Sequence, residues 1–351
     1  MHTIKIGVGL RFKNPVAFRQ PWEKLYRDHL TYAARADTLG FDGIWVAEHH
    51  CTPQGYDPAP LVALTAIAGV TKHCKLGTQP LLLPLRNPVL AAEEAAAVDV
   101  FSGGRLILGV GVGYLDSDFE AIGIPRKERG ARTDEAIDIL SKALWEEEPF
   151  DYEGKFYKVK GVALAPRPIQ KQMRIDVVIR SEAAAKRVAR PGVHVNLNSL
   201  AIAKSLGPKV AEIASKGGRD PSTVGLSLLA SGFLADTEAN ARALATPYNL
   251  EDSKQYLNYW SHSKDAVDRE MSAMASAAQK SGQPQGSFSP QALVDTIHTY
   301  IETMAATGLK PDWVNLTLWP AGMPVGHALE CLERVASDVL PKLPRRTTQG
   351  H

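Results

Sequence analysis

Short runs of β-branched and aliphatic residues alternate along the chain with longer runs in which apolar residues recur every three or four positions. That alternation predicts strand–helix units and a parallel sheet. Residues 4–10 predict the first strand, and residues 22–39 a helix in which Leu25, His29, Tyr32 and Ala36 share one face. Gly40 falls where a helix C-cap belongs, and residues 43–47 predict the second strand. A strand over 75–79 with the Ala-rich helix 89–100 makes a further unit, and a strand over 106–110 with the helix 129–145 another. Residues 150–172 carry prolines and aromatics without a helical period and predict an excursion.

The rhythm resumes with a strand over 174–179, a helix over 182–189 and a short strand near 194–197. It continues with a helix over 201–216 and a strand over 224–230, and closes with a helix over 290–306, a strand over 313–318 and a final helix. About eight such units predict a closed (β/α)₈ TIM barrel, a single domain spanning residues 1–351, although an open doubly wound sheet shares the same periodicity. Between the seventh strand and its helix lies Thr246–Ser287, rich in Ser, Gln, Tyr and Asn. A connection of that length predicts a lid over the site or a solvated excursion.

Composition narrows the classes. With 44% apolar and 22% charged residues over 351 positions, the chain has the balance of a globular protein. Forty basic against 38 acidic residues leave a formal charge of +2, without a basic cluster to follow a phosphate backbone, so nucleic acid is not an expected partner. No apolar run approaches the roughly 20 residues needed to span a bilayer, and the N-terminus has no signal-peptide core. A cytoplasmic protein is expected. Cys51, Cys74 and Cys331 have no metal-type pairing and suit a reducing compartment.

In a barrel, ligands gather at the carboxyl ends of the strands, so the polar groups just past each strand are the candidates. Glu48-His49-His50-Cys51 comes after strand two. Adjacent side chains on extended backbone point to opposite sides, so one imidazole can face the barrel mouth and move a proton near neutral pH. A hydrogen-bonded structural pair fits the same spacing. Gly109-Val110-Gly111-Val112-Gly113-Tyr114 ends strand four, and its alternate glycines bare one face of the backbone to a flat ring. Arg180-Ser181-Glu182 comes after strand five, with Ser181 as N-cap of a helix start that serves either an anion or ordinary capping. No G-x-G-x-x-G opens a helix, so a Rossmann site for NAD(P)H is not expected.

The chain resembles the luciferase-like, flavin-dependent monooxygenases, the bacterial luciferase family, over most of its length. The resemblance is carried by Gly40-Phe41-Asp42-Gly43-Ile44-Trp45-Val46-Ala47-Glu48-His49-His50, by Leu76-Gly77-Thr78 and by Arg86-Asn87-Pro88-Val89. Asp99-Val100-Phe101-Ser102-Gly103-Gly104-Arg105-Leu106, the strand end Gly109–Gly113, Ser289-Pro290 and Val339-Leu340-Pro341 complete it in order and spacing.

That resemblance implies FMN, or the deazaflavin F420, bound at the strand carboxyl ends, with His49 as the active-site histidine and His50 its less exposed neighbour. Gly111 and Val112 match positions along the isoalloxazine, where some relatives carry Cys and Arg, and Ser181, with Arg180 beside it, matches the phosphate site. Gln79 precedes Pro80 at a place where some relatives have a cis peptide against the flavin. After strand six relatives have a Gly-Asp-Gly-type turn, in place of which this chain has Pro191-Gly192-Val193-His194-Val195. The implied function is that of a two-component monooxygenase. A separate flavin reductase supplies reduced FMN, and O₂ oxidises an aliphatic or carbonyl-type small molecule in a homodimer or larger homo-oligomer. The alternatives are an F420-dependent hydride transfer and a flavin-binding protein without turnover.

Overall fold

The computed structural model, which describes residues 3–260 and 286–345, contains eight parallel strands closed into a barrel. In chain order these are β1 (Lys5–Leu10), β2 (Gly43–Val46), β3 (Lys75–Thr78), β4 (Leu106–Gly111), β5 (Arg174–Val178), β6 (Val193–Asn196), β7 (Gly225–Ser231) and β8 (Lys310–Thr317). Each pairs with its successor, and β8 returns to β1 with Lys5 opposite Trp313 and Val8 opposite Leu316. Closure removes the open-sheet alternative.

Helices cover the outside: α1 (Trp22–Thr38), α2 (Pro60–Val70), α3 (Pro88–Ser102), α4 (Arg129–Trp145), α5 (Glu182–Ala185), α6 (Leu200–Lys216), α7 (Pro290–Ala306) and α8 (Val325–Asp338). Strands covered on one face and packed into a filled barrel on the other read as near-continuous apolar runs, which is why the periodicity locates them. Among the described residues no helix is long and apolar enough to cross a membrane.

Several of the family-like motifs are devices that join units. Asp42 Oδ2 accepts from Ile6 N at 2.8 Å and ties the entry of β2 to β1. Asn87 caps α3 through Val89 N at 2.9 Å, with Pro88 in the first turn, and Gly103 ends the helix at φ 68°. Arg105 then donates to the carbonyls of Ala68, Thr71 and Cys74, fixing the end of α2 to the start of β4.

The two ends of the barrel differ. At the amino end Arg174 joins Asp176 and Asp312, and Lys5 donates to Asp312 at 3.3 Å, so a charged cluster fills that mouth. Above it Trp45 lies across the interior and meets Trp313 edge-on at 5.3 Å. The indole has room because its neighbours lack side chains: a Cβ on Gly77 would sit 2.1 Å from its ring. Trp45 is thus a floor, and the open end is the carboxyl one.

Three elements depart from expectation. The sequence pattern does not predict α2, since PLVALTAIAGV is apolar all round and shows no stripe. The excursion after α4 is an antiparallel hairpin of Phe150–Glu153 and Lys158–Val162. The amino-terminal part of Thr246–Ser287, expected as a lid or a solvated excursion, is helical. It belongs to Glu238–Trp260, which buries Ala241 and Ala245 and keeps Pro247 inside the helix. Ser287 ends in a short strand, Ser287–Phe288, paired with Phe233–Leu234, and the intervening residues 261–285 lie outside the described residues.

Candidate active site

All eight strands send their carboxyl ends to one cavity of about 550 Å³, within the roughly 300–1,000 Å³ typical of small-molecule and cofactor sites. His49, Gln79, Gly111, Val112, Arg180 and Ser181 all stand on its walls, with Trp45 beneath them. None of these is near another in sequence except at the ends of β4 and β5. The barrel brings them together.

His49 turns toward the cavity and His50 away from it, as alternation on extended backbone requires. The His50 side chain is nevertheless the more exposed, 15% against 9%, which corrects the expectation that it would be the more hidden. His49 is held from both nitrogens. Nδ1 lies 3.1 Å from Asp118 Oδ2, and Nε2 lies 3.2 Å from the Tyr114 hydroxyl. Asp118 is fully buried, and its other oxygen accepts from His50 N at 3.0 Å. A carboxylate partner places the proton on Nδ1, which leaves Nε2, on the cavity side, to accept from Tyr114 or to hold a second proton. Tyr56 and Tyr114 meet the imidazole edge-on at 4.6 and 5.3 Å and fix the plane of the ring.

Below this pair Glu48, 1% exposed, accepts from Leu82 N at 2.6 Å, Arg86 Nη2 at 2.6 Å and His50 Nε2 at 2.7 Å. It locks the β2 and β3 loops into one body. Asp57 lies beside it, 2% exposed, with Oδ1 accepting from Ala59 N. Burial, with the Glu48 charge adding to it, pushes the Asp57 carboxyl up to about 6.

The β4 glycines make room for the end of β3. A Cβ on Gly109 would lie 2.0 Å from Thr78 O, and one on Gly111 would lie 2.6 Å from Pro80 Cγ. The bared face admits the end of β3, whose Gln79–Pro80 peptide is cis, and Gly111 also stands on the cavity wall. Gln79 faces the cavity from there; its Oε1 accepts from Asn315 Nδ2 at 3.2 Å, and its Nε2 is buried with no acceptor among the described residues.

Across the mouth Ser181 caps α5, its hydroxyl oxygen accepting from Ala184 N at 3.3 Å. Arg180 leans back over the Tyr114 ring, 6.0 Å from its centroid, instead of pointing away from the site, and Arg129 joins the same wall. The segment Pro191–Val195 does not come after β6: Pro191 and Gly192 lead into it, and Val193–Val195 belong to it. Just beyond β6 stands Asn198, at φ 57°, on the cavity wall.

Sequence reasoning missed Asp118, Tyr114, Tyr56, Arg129 and Asn198. Asp118 had a visible signal, an Asp-Ser-Asp run just past the glycines of β4, but its pairing with His49 is 69 residues distant and set only by the fold.

A family model for luciferase-like monooxygenases matches residues 4–312, and the chain belongs to that family. It is 25% identical over 338 residues, 93% of this chain and 92% of the other, to the oxygenase component of a flavin-dependent trigonelline monooxygenase from Acinetobacter baylyi. Two further relatives match in part: the chain spans 64% of an uncharacterised Sinorhizobium fredii protein at 29% identity. An F420-dependent glucose-6-phosphate dehydrogenase from Amycolatopsis mediterranei is 32% identical over 47% of this chain and 51% of its own. In three dimensions the chain superposes with TM-score 0.75 on the oxygenating constituent of 3,6-diketocamphane monooxygenase from Pseudomonas putida, an FMN complex. That match has 20% identity and covers 98% of this chain and all of the other. Of these relatives, the Acinetobacter one is flavin-dependent and the Amycolatopsis one F420-dependent.

Proposed function

We propose that this chain is the oxygenase component of a two-component flavin monooxygenase, in which a separate reductase delivers reduced FMN and O₂ oxidises a small organic substrate. The observation that carries the reading is the Asp118–His49–Tyr114 network on the wall of a cavity ringed by all eight strand ends. The Acinetobacter relative, matched nearly end to end, supports it.

The residues present suit a flavin. Gln79 offers an acceptor and an unsatisfied amide donor side by side, the pattern that the imide edge of an isoalloxazine complements. Arg129, Arg180 and the Ser181 hydroxyl would hold the phosphate. When bound, reduced flavin supplies the electrons that activate O₂. His49 Nε2 holds or moves a proton at the reacting centre, and Asp118 and Tyr114 keep its ring and tautomer fixed. Trp45, Tyr56 and Tyr114 line the space and exclude water from it. A homodimer is part of the same reading. α2 and α3 expose Val62 (71%), Leu90 (57%) and Phe101 (73%), side chains that a second copy would cover.

The F420 reading rests on the partial match to the Amycolatopsis dehydrogenase. Anaerobic titration with reduced FMN and, separately, with F420 divides the two. Tight binding of reduced FMN together with O₂-dependent product formation is expected; binding of F420 alone, or hydride transfer without O₂, would replace the proposal.

A further inference from the structure

Opposite Arg180 and Ser181 the cavity meets a second concentration of positive charge. β1 is four strands from β5 by either route around the barrel, so Arg11, one residue past β1, and Lys13 stand on the far side of the mouth. Arg11 lines the cavity. Lys13 lies behind that wall, 2% exposed, with its ammonium 5.1 Å from the centroid of Tyr56, the same ring that meets His49 edge-on.

Asp252, on the helix Glu238–Trp260, reaches both cations. Oδ2 accepts from Arg11 Nη1 at 2.9 Å and Oδ1 accepts from Lys13 Nζ. Burial raises the Asp252 carboxyl, but the two cations outweigh it and hold the group below its ordinary range. Burial, reinforced by Arg11, pulls Lys13 below its ordinary value in spite of Asp252. Asp252 pairs with both cations, and Tyr56 is a further hydrogen-bond partner of Arg11; burial lowers the Arg11 guanidinium, but the two together hold it above its ordinary value. Arg11 Nε is buried without an acceptor among the described residues. Two cations on one carboxylate leave a positive excess beside a small-molecule cavity, which is complementary to an anion. Asp252 itself shows that a carboxylate fits between these two side chains.

We propose that Arg11 and Lys13 form the subsite for the carboxylate of an organic-acid substrate, anchored across Tyr56 from His49, with Asp252 as the carboxylate that occupies the pair until the acid arrives. The word substrate rests on the flavin-oxygenase reading; the anion site does not.

The test compares acids with their neutral amides: benzoate against benzamide and hexanoate against hexanamide. Each is titrated calorimetrically into the full-length wild type, Arg11→Gln and Asp252→Asn, with folding of each variant checked by thermal melt. One charge-assisted hydrogen bond contributes roughly 1.5–3 kcal/mol, so wild type is expected to prefer each acid by about tenfold or more. Arg11→Gln should reduce that preference below about threefold, and Asp252→Asn, which removes the competing carboxylate, should strengthen acid binding by about tenfold. Equal binding of acid and amide, a preference that survives Arg11→Gln, or no binding of any of the four at millimolar concentration would overturn the proposal. If Arg11→Gln does not fold, Arg11→Lys and Asp252→Asn decide it. FMN titration of the same wild-type sample reports separately on the flavin reading, so either can fail alone.

Discussion

Replacing Asp118 by Asn preserves the shape of the side chain and removes its charge, and the two bonds it accepts set the cost. Its oxygens receive His50 N at 3.0 Å and stand 3.1 Å from His49 Nδ1, in a fully buried position. An amide presents one acceptor and one donor, so Asn satisfies one of these N–H groups and confronts the other with a second donor. The backbone of His50 cannot turn away, whereas the His49 ring can flip or change tautomer. His49 therefore loses its partner. A hydrogen bond to a charged group is worth roughly 1.5–3 kcal/mol, and a loss of that size in the positioning of His49 lowers kcat by roughly 10–150-fold. The assay is product formation with reduced FMN and O₂, alongside flavin affinity measured by fluorescence titration. The expected split is a fall in kcat with flavin affinity changed less than about threefold, because Asp118 is not itself a wall of the cavity. A folded Asp118→Asn enzyme with kcat within about threefold of wild type would refute the positioning role.

His49→Ala should lower turnover by roughly 10²–10⁴-fold with flavin affinity little changed, and an unchanged rate with supplied reductase removes His49 from the chemistry. Ser181→Ala should weaken FMN by about 1–2 kcal/mol while hardly affecting riboflavin; equal weakening of both would leave Ser181 as a helix cap alone. Asp57 titrates near 6 in the folded chain against an unfolded value near 3.9, so the folded state binds the extra proton. Its contribution is favourable below about pH 4 and is lost as pH rises through about 6, to a total of up to about 2–3 kcal/mol. Asp57→Asn should therefore gain on wild type between those limits in denaturant unfolding, and a difference independent of pH would contradict this origin of the shift.

The barrel was legible because strands buried on both faces and helices with one apolar stripe leave different periods in the sequence. The stretches that failed are those with no period to read. In α2 there is no polar face, and in residues 246–260 an uneven polar composition hides the continuation of the helix Glu238–Trp260, which is seated by Ala241, Ala245 and the ion pairs of Asp252 with Arg11 and Lys13. At the site, His49 was visible as a titratable group just past a strand, and Ser181 as a helix cap. Asp118, Tyr114 and Arg11 were not, since each acquires meaning only from a partner in another unit of the barrel. The β4 glycines were visible as a bared face, but not that the missing side chains make room for Thr78 and Pro80. Which atom approaches a glycine is a tertiary fact.

The central claim is that this cavity binds reduced FMN and handles O₂ beside His49. Rapid mixing of anaerobic protein and reduced FMN with oxygenated buffer, monitored by absorbance, tests it most directly. Reoxidation is expected to be slower than that of free reduced FMN, and to couple to product formation once a substrate acid is added. Reoxidation at the rate of free flavin, with no saturation as protein concentration rises, would contradict the claim.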